Sequence, residues 1–301
     1  MKTKIAIVGA GRVGSAIAYT LAHRKLADEI VLLDIMKDML DGQTTDIAQS
    51  MAWGSSTRVF AGDYKDIAGA RIVIICAGVG RKPGMTRLDL AATNASIIRG
   101  IAASVKRYAP NAVVITLTNP VDVINNVVWR ATGLQRERVI GQGGVLDSLR
   151  LRWAMAKVLK VDPSAVEAYV LGEHGDSKVL AFSKALVKGK TPLLSVGEKM
   201  KIAEELEKSN EDVIAKKGAT EFAPAQAVAL MVSSIIGDKK DVLPCSVVLR
   251  GEYGIKDVSV GVPVVLGRNG VEKVEEWALD PVELSMLKRS AEIIQEMQGK
   301  V

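Results

Sequence analysis

Lys4-Ile5-Ala6-Ile7-Val8-Gly9-Ala10-Gly11-Arg12-Val13-Gly14 is the stretch that decides the fold. A short apolar run of strand character passes at once into three glycines, and then into Ser15-Ala-Ile-Ala-Tyr-Thr-Leu-Ala22, which has helical period. Each glycine has its own reason in that context. Gly9 permits the tight turn, Gly11 lets backbone approach a pyrophosphate, and Gly14 lets the helix pack on the strand. The free amides at the helix start face the anion, so Gly9, Ala10, Gly11, Arg12, Val13 and Gly14 are candidate cofactor contacts. The next strand ends in Val31-Leu-Leu-Asp34, about twenty residues beyond Gly14. There a carboxylate accepts both hydroxyls of an adenosine ribose and repels a 2′-phosphate. NAD is therefore favoured over NADP, with Arg12 and Lys37 as nearby cations that soften the preference. The competing reading is a purely structural strand–helix junction with Asp34 as a helix cap.

Outward from this turn, short Val/Ile/Leu runs alternate with stretches of helical period, as in a parallel sheet built from strand–helix–strand units. Strands are predicted at Lys4–Val8, Glu29–Leu33, Arg58–Ala61, Ile72–Cys76, Ala112–Thr116 and Val139–Gly141. Their continuous apolar character fits strands covered on both faces. From Leu146 the pattern changes. A helix to Leu159, a strand at Val166–Leu171, two helices between Gly197 and Gly237, strands around Val242–Leu249 and Val258–Leu266, and a helix from Asp280-Pro281 to Gln298 make a mixed lobe. The expectation is α/β: a doubly wound parallel sheet over 1–145 and a mixed α+β catalytic domain over 146–301, sharing a broad interface.

The chain's 301 residues, 48% hydrophobic and 25% charged, fit a folded protein with a well-buried core and exclude a disordered one. The net charge of +6 comes from scattered lysines and arginines with no long basic run. A solvated basic surface that draws in small anions is expected, with no nucleic-acid partner. No apolar run approaches the ~20 residues that span a bilayer, and the start lacks a signal peptide's apolar segment, so no membrane partner and a cytoplasmic location are expected. Cys76 and Cys245 show neither metal spacing nor a redox pair, and no metal is expected.

An imidazole catalyst must be one of two histidines. His23 closes the first helix, where facing the helix dipole is explanation enough. His174 stands in Leu171-Gly-Glu-His174-Gly-Asp-Ser directly after a strand. A reversible proton carrier needs a neighbour that fixes its tautomer. Asp147 is the candidate, three residues before Arg150 in Gly143-Gly-Val-Leu-Asp147-Ser-Leu-Arg150 and so on the same helix face. Arg150 would clamp a substrate carboxylate bidentately. Taken alone, the segment equally suits an intrahelical Asp–Arg pair. Ala77-Gly78-Val-Gly-Arg81-Lys-Pro-Gly-Met-Thr-Arg87 reads as a lid over the ligand edge, leading into a helix that carries Asn94. Thr116-Leu117-Thr118-Asn119-Pro120 ends the next strand at that edge, offering backbone groups and an amide to a ligand, the bland alternative being a basic surface loop and an ordinary Asn-Pro turn.

Together these segments, with Lys217-Gly-Ala-Thr220-Glu-Phe-Ala-Pro-Ala225, resemble the lactate and malate dehydrogenase family over nearly the whole chain, and more closely its lactate-dehydrogenase-like malate branch. The resemblance implies a Rossmann domain with NAD, His174 as proton donor and acceptor, and Asp147 as its partner. It makes Arg150 the anchor of the 1-carboxylate, Arg87 the arginine that polarises the reacting carbonyl, and Asn119 and Thr220 pocket residues. Gly78, Asn94, Leu117, Thr118 and Asn119 join the cofactor contacts. Arg81 occupies the position where lactate enzymes carry glutamine and malate enzymes arginine. A second substrate carboxylate needs a cation once water is excluded, whereas pyruvate's methyl would strand one. Reversible oxidation of (S)-malate to oxaloacetate follows as the expectation, in the tricarboxylic acid cycle and by a homo-oligomer, dimer or tetramer. A lactate dehydrogenase with an unusual loop is the alternative, and a non-catalytic NAD-binding protein a distant one. Gly80 departs from the proline that malate enzymes often carry there and implies a looser lid.

Overall fold

The computed structural model describes residues 2–80 and 84–301. The first lobe alternates strands with helices: β1 (Lys4–Val8), α1 (Arg12–His23), β2 (Glu29–Leu33), α2 (Lys37–Met51), β3 (Arg58–Ala61), β4 (Ile72–Ile75), α3 (Arg87–Tyr108), β5 (Val113–Thr116), α4 (Val121–Thr132) and β6 (Val139–Gly141). Paired in parallel in the order β3-β2-β1-β4-β5-β6, the strands reverse direction of winding beside β1, which sets a ligand crevice at their carboxyl ends. Both faces are buried, which is why the runs are apolar without alternation: Ile5 and Ile7 enter one core while Ala6 and Val8 enter the other.

The second lobe comprises α5 (Gly143–Leu159), β7 (Val166–Glu167), β8 (Val170–Leu171), β9 (Val179–Leu180), β10 (Leu186–Val187), α6 (Val196–Lys217), α7 (Phe222–Gly237), β11 (Asp241–Arg250), β12 (Lys256–Gly267), β13 (Gly270–Val274) and α8 (Pro281–Gln298). Two expectations are corrected here. The single strand expected over Val166–Leu171 is split, β7 pairing with β10 and β8 with β9. Helix α5 begins three residues before Leu146, because Gly143 and Gly144 form its first turn instead of a loop.

The antiparallel ribbon β11-β12-β13 also continues the first lobe's sheet, giving nine strands in one surface. The join is Ser246 opposite Gly141, where a Cβ on Gly141 would lie 2.8 Å from the Ser246 Cβ. Asn125 of α4 seals the seam: its amide donates to the Ser259 hydroxyl at 2.8 Å and its carbonyl accepts from the Thr116 hydroxyl at 2.8 Å. These groups are fully buried, so their mutual satisfaction specifies how the ribbon docks. One core runs through both lobes, from Ile5 and Ile17 to Val228 and Val260. Among the described residues no single helix is long and apolar enough to cross a membrane.

Candidate active site

At the phosphate-binding turn the three glycines separate by what surrounds them. Gly9 has φ +105°, and a Cβ there would stand 2.7 Å from the Ala77 nitrogen. A Cβ on Gly14 would stand 1.8 Å from the Gly9 carbonyl oxygen, so strand and helix require glycine for their own contact. Gly11 is different: no heavy atom among the described residues lies within 4 Å of its Cβ position. Packing does not account for that glycine, whereas close approach of a ligand does. Gly11 also caps α1 without any side-chain hydrogen bond, which leaves first-turn amides available to an anion.

Asp34 closes the turn. Its Oδ2 accepts the Ala10 N–H at 2.8 Å and Oδ1 accepts the Met36 N–H at 3.0 Å, leaving lone pairs for ribose hydroxyls. Val13 packs against the core. The Arg12 guanidinium crosses to the second lobe and pairs with Glu221 at 2.9 Å, and it also donates to the Lys217 carbonyl. Arg12 therefore offers the cofactor its backbone only, and it does not stand free to attract a 2′-phosphate. That bridge brings the α6–α7 turn, with the partly exposed Thr220, against the start of α1.

Asn94, Gly78, Leu117 and Thr118 line the loop and strand end that border the crevice. Asn94 is fully buried, its amide donates to the Asn119 carbonyl at 2.7 Å and the Val79 carbonyl, and its Oδ1 accepts the Val79 N–H at 2.8 Å. It anchors the loop that passes over the sheet edge. Gly78, at φ +152°, fits beneath that anchor. Thr118 donates to the Ala77 carbonyl at 2.7 Å, and Leu117 is buried. Asn119 is the exposed side chain of the strand end. Between the strand end and α5, Gln142 is buried with its Oε1 lacking any partner among the described residues. A buried acceptor without a donor is costly, and a bound group carrying an N–H would relieve it. The open space at Gly11, the uncapped helix, Asp34 and Gln142 together fit a dinucleotide with an amide-bearing ring.

The proton-handling cluster is assembled from both lobes. His174 Nδ1 lies 2.6 Å from Asp147 Oδ2, and Asp147 Oδ1 accepts from Arg150 at 3.1 Å. With Asp147 ionised, the neutral imidazole carries its proton on Nδ1 and leaves Nε2 as the acceptor. Burial works to raise the Asp147 carboxyl, but the charge and hydrogen bond of His174 outweigh it and hold the group below the usual carboxylate range. Burial likewise works to lower His174, yet the Asp147 charge wins and raises the imidazole above its ordinary value. Helix α5 starts flush against this loop because it starts with glycine: a Cβ on Gly143 would sit 2.5 Å from the His174 Cβ.

Arg87, the first residue of α3, reaches the same loop, pairing with Asp176 at 2.6 Å and with Glu173 at 3.5 Å. Its charge thus stands beside the histidine, held by carboxylates on either side of it in sequence. Glu173 is itself fixed by the Ser177 hydroxyl at 2.6 Å, and its N–H donates to Ser290 of α8 at 2.7 Å. On the other side, the His174 N–H donates to Asp122 Oδ2 at 2.7 Å. Asp122, Glu173, Gln142, Gly143 and Ser290 were not singled out from sequence. Glu173 sits in a segment already marked and Asp122 two residues past another, whereas nothing local to Ser290 points to the site. Arg81 lies outside the described residues.

The family models "lactate/malate dehydrogenase, NAD binding domain" and "lactate/malate dehydrogenase, alpha/beta C-terminal domain" match residues 3–141 and 144–300. A malate dehydrogenase of Natronomonas pharaonis is 44% identical, with 99% of each chain covered. Among solved structures, the minor L-lactate dehydrogenase of Enterococcus mundtii superposes with a TM-score of 0.96 at 35% identity, covering 100% of this chain and 98% of that one. The malate dehydrogenase of Cryptosporidium parvum superposes with a TM-score of 0.95 at 35% identity, covering 99% and 98%.

Proposed function

The chain belongs to the lactate/malate dehydrogenase family, and on that premise we propose that it catalyses the reversible NAD-dependent oxidation of (S)-malate to oxaloacetate. The observation that carries the reaction class is the His174–Asp147–Arg150 chain, with contacts of 2.6 and 3.1 Å on one crevice wall. The substrate assignment rests on Arg81 and is supported by full-length relatives named malate dehydrogenase.

In this reading Arg150 grips the 1-carboxylate and Arg81 the 4-carboxylate, so that malate is held at both ends. His174 Nε2 takes the 2-hydroxyl proton, and Asp147 stabilises the imidazolium that forms. Arg87 leaves its carboxylate partners to face the substrate oxygen and stabilises the charge that develops there. NAD, held by the glycine turn and Asp34, supplies when bound the carbon that accepts the hydride from malate C2. Asn94, Gly78 and Thr118 keep the loop and strand end in place around it.

The decisive experiment is a steady-state assay with oxaloacetate and pyruvate, each against NADH and NADPH. Oxaloacetate with NADH is expected to dominate, and Arg81→Gln to shift the preference toward pyruvate. A native preference for pyruvate would overturn the malate reading and favour the lactate enzyme. We further propose that the protein acts in the cytoplasm, in the tricarboxylic acid cycle, as a homo-oligomer, either a dimer or a homotetramer. Almost fully exposed Trp53 and Leu193 support self-association. Light scattering of the purified protein checks it, and a monomer would overturn it.

A further inference from the structure

We infer that Asp122 is a positioning residue for His174, tying the backbone of the histidine to helix α4 of the first lobe and placing a second negative charge beside the imidazolium. The inference rests on the reading of His174 as the proton carrier.

Three observations carry it. Asp122 lies in the first turn of α4, three residues after Asn119, and its Oδ2 accepts the His174 N–H at 2.7 Å. The histidine belongs to the loop after β8, so this single bond links the proton carrier to the strand end that faces the ligand. Asp147 holds the imidazole ring from one side while Asp122 holds the main chain from another. Second, Asp122 is only 3% exposed, and its immediate polar neighbours, the Ser246 hydroxyl and the His174 N–H, are neutral. Burying a carboxylate there is costly. An amide would accept the same N–H without that cost, so the hydrogen bond alone does not explain a charged residue. Third, the charge has a target: the Asp122 carboxylate raises the basicity of His174.

The groups facing this pair come from several elements. From α5, Asp147 stabilises the imidazolium and Arg150 opposes it. From the histidine's own loop, Glu173 opposes ionisation of Asp122, and Arg87 of α3 partly neutralises Glu173. Lys178 faces Asp147. Burial is the main cause that pushes the Asp122 carboxyl up to about 6, and the Ser246 and His174 contacts work against it. Below that range the carboxyl takes up a proton, and His174 loses its second counter-charge.

With only two histidines in the chain, imidazole NMR of the full-length protein gives two sets of signals, and His23→Gln assigns that of His174. Asp122→Asn keeps an acceptor for the His174 N–H and removes the charge. The His174 midpoint is expected to fall, and the rise of kcat/KM for malate oxidation to move to lower pH with it. Asp122→Ala removes the acceptor too, and kcat is expected to fall about tenfold or more while KM for NAD stays unchanged, because the loss is one of placement. Asp122→Asn should recover most of that kcat. An unmoved His174 midpoint in Asp122→Asn overturns the charge role. An unchanged kcat in Asp122→Ala overturns the positioning role, even if its Tm falls. Should the alanine variant not fold, the near-isosteric asparagine variant still decides. The NMR arm needs no substrate, so it reads Asp122 even if malate is the wrong acid.

Discussion

Between Gly9 and Gly14, six consecutive residues form one ligand-facing turn, whereas His174 takes its partners from 27 residues away in Asp147 and 52 away in Asp122. The turn relies on missing atoms: two glycines are demanded by close backbone contacts and the third leaves open space. The histidine cluster relies on atoms that are present, with charges buried at hydrogen-bond distance and balanced among themselves. A site made by local sterics is robust to its surroundings. A site made by buried electrostatics depends on every element that brings a charge to it.

The largest expected effect tests the second kind. Asp147→Asn should lower kcat roughly a hundredfold to ten-thousandfold, since the imidazole loses the group that fixes its tautomer and stabilises its charge. NAD binding, measured by fluorescence titration, should be untouched, and a parallel loss of cofactor affinity would break the separation between the two regions. Gly14→Ala comes next. Its Cβ would meet a backbone oxygen at 1.8 Å, and a loss of roughly 3 kcal/mol in a denaturant melt is expected. Gly11→Ala should cost under about 1 kcal/mol of stability yet weaken NAD about tenfold, because it fills space that only a ligand would use. Equal destabilisation by both substitutions would show that the third glycine is structural after all.

The pH dependence is smaller and has a definite sign. Malate oxidation needs neutral His174, so kcat/KM should rise with pH through the histidine's midpoint, which Asp147 places above the ordinary imidazole value. Oxaloacetate reduction needs the charged form and should fall through the same range. Stability follows the same linkage: the raised histidine contributes fully below its unfolded midpoint, and that contribution is lost as pH rises through the folded one. Parallel trends in the two directions would remove His174 as the proton carrier. Smallest of all is Arg12→Ala, which breaks a half-exposed ion pair with Glu221. Tm is expected to stay within measurement scatter, and the preference for NADH over NADPH to stay as it was.

Legibility followed the same division. The strands β1, β2, β3 and β6 begin and end where the apolar runs do, since a run buried on both faces leaves its signature in consecutive residues. Strand β13 and the short β9 and β10 were not anticipated: β9 and β10 are only two residues long, and β13 is held at the sheet edge by β12. The spacing of Asp147 from Arg150 declared one helix face, and His174 stood out by its motif. By contrast, the side-chain partners of Arg12 and Asn94 are not legible from their position in the sequence. Their side chains turned to Glu221 and to the Val79 and Asn119 backbone, because those partners come from elements that the local pattern does not describe.

From its sequence alone, then, this protein's alternation of strand and helix, its dinucleotide turn with Asp34 and the shared helix face of Asp147 and Arg150 were determined. Each depends on period, glycine sterics or spacing, which are properties of neighbouring residues. Only the tertiary structure decided that the second lobe's ribbon extends the first lobe's sheet through Ser246 and Gly141, that Arg12 bridges the lobes, and that Asp122 and Glu173 flank the histidine. Those outcomes are choices among distant partners for buried polar groups, and packing makes them when the lobes close on each other.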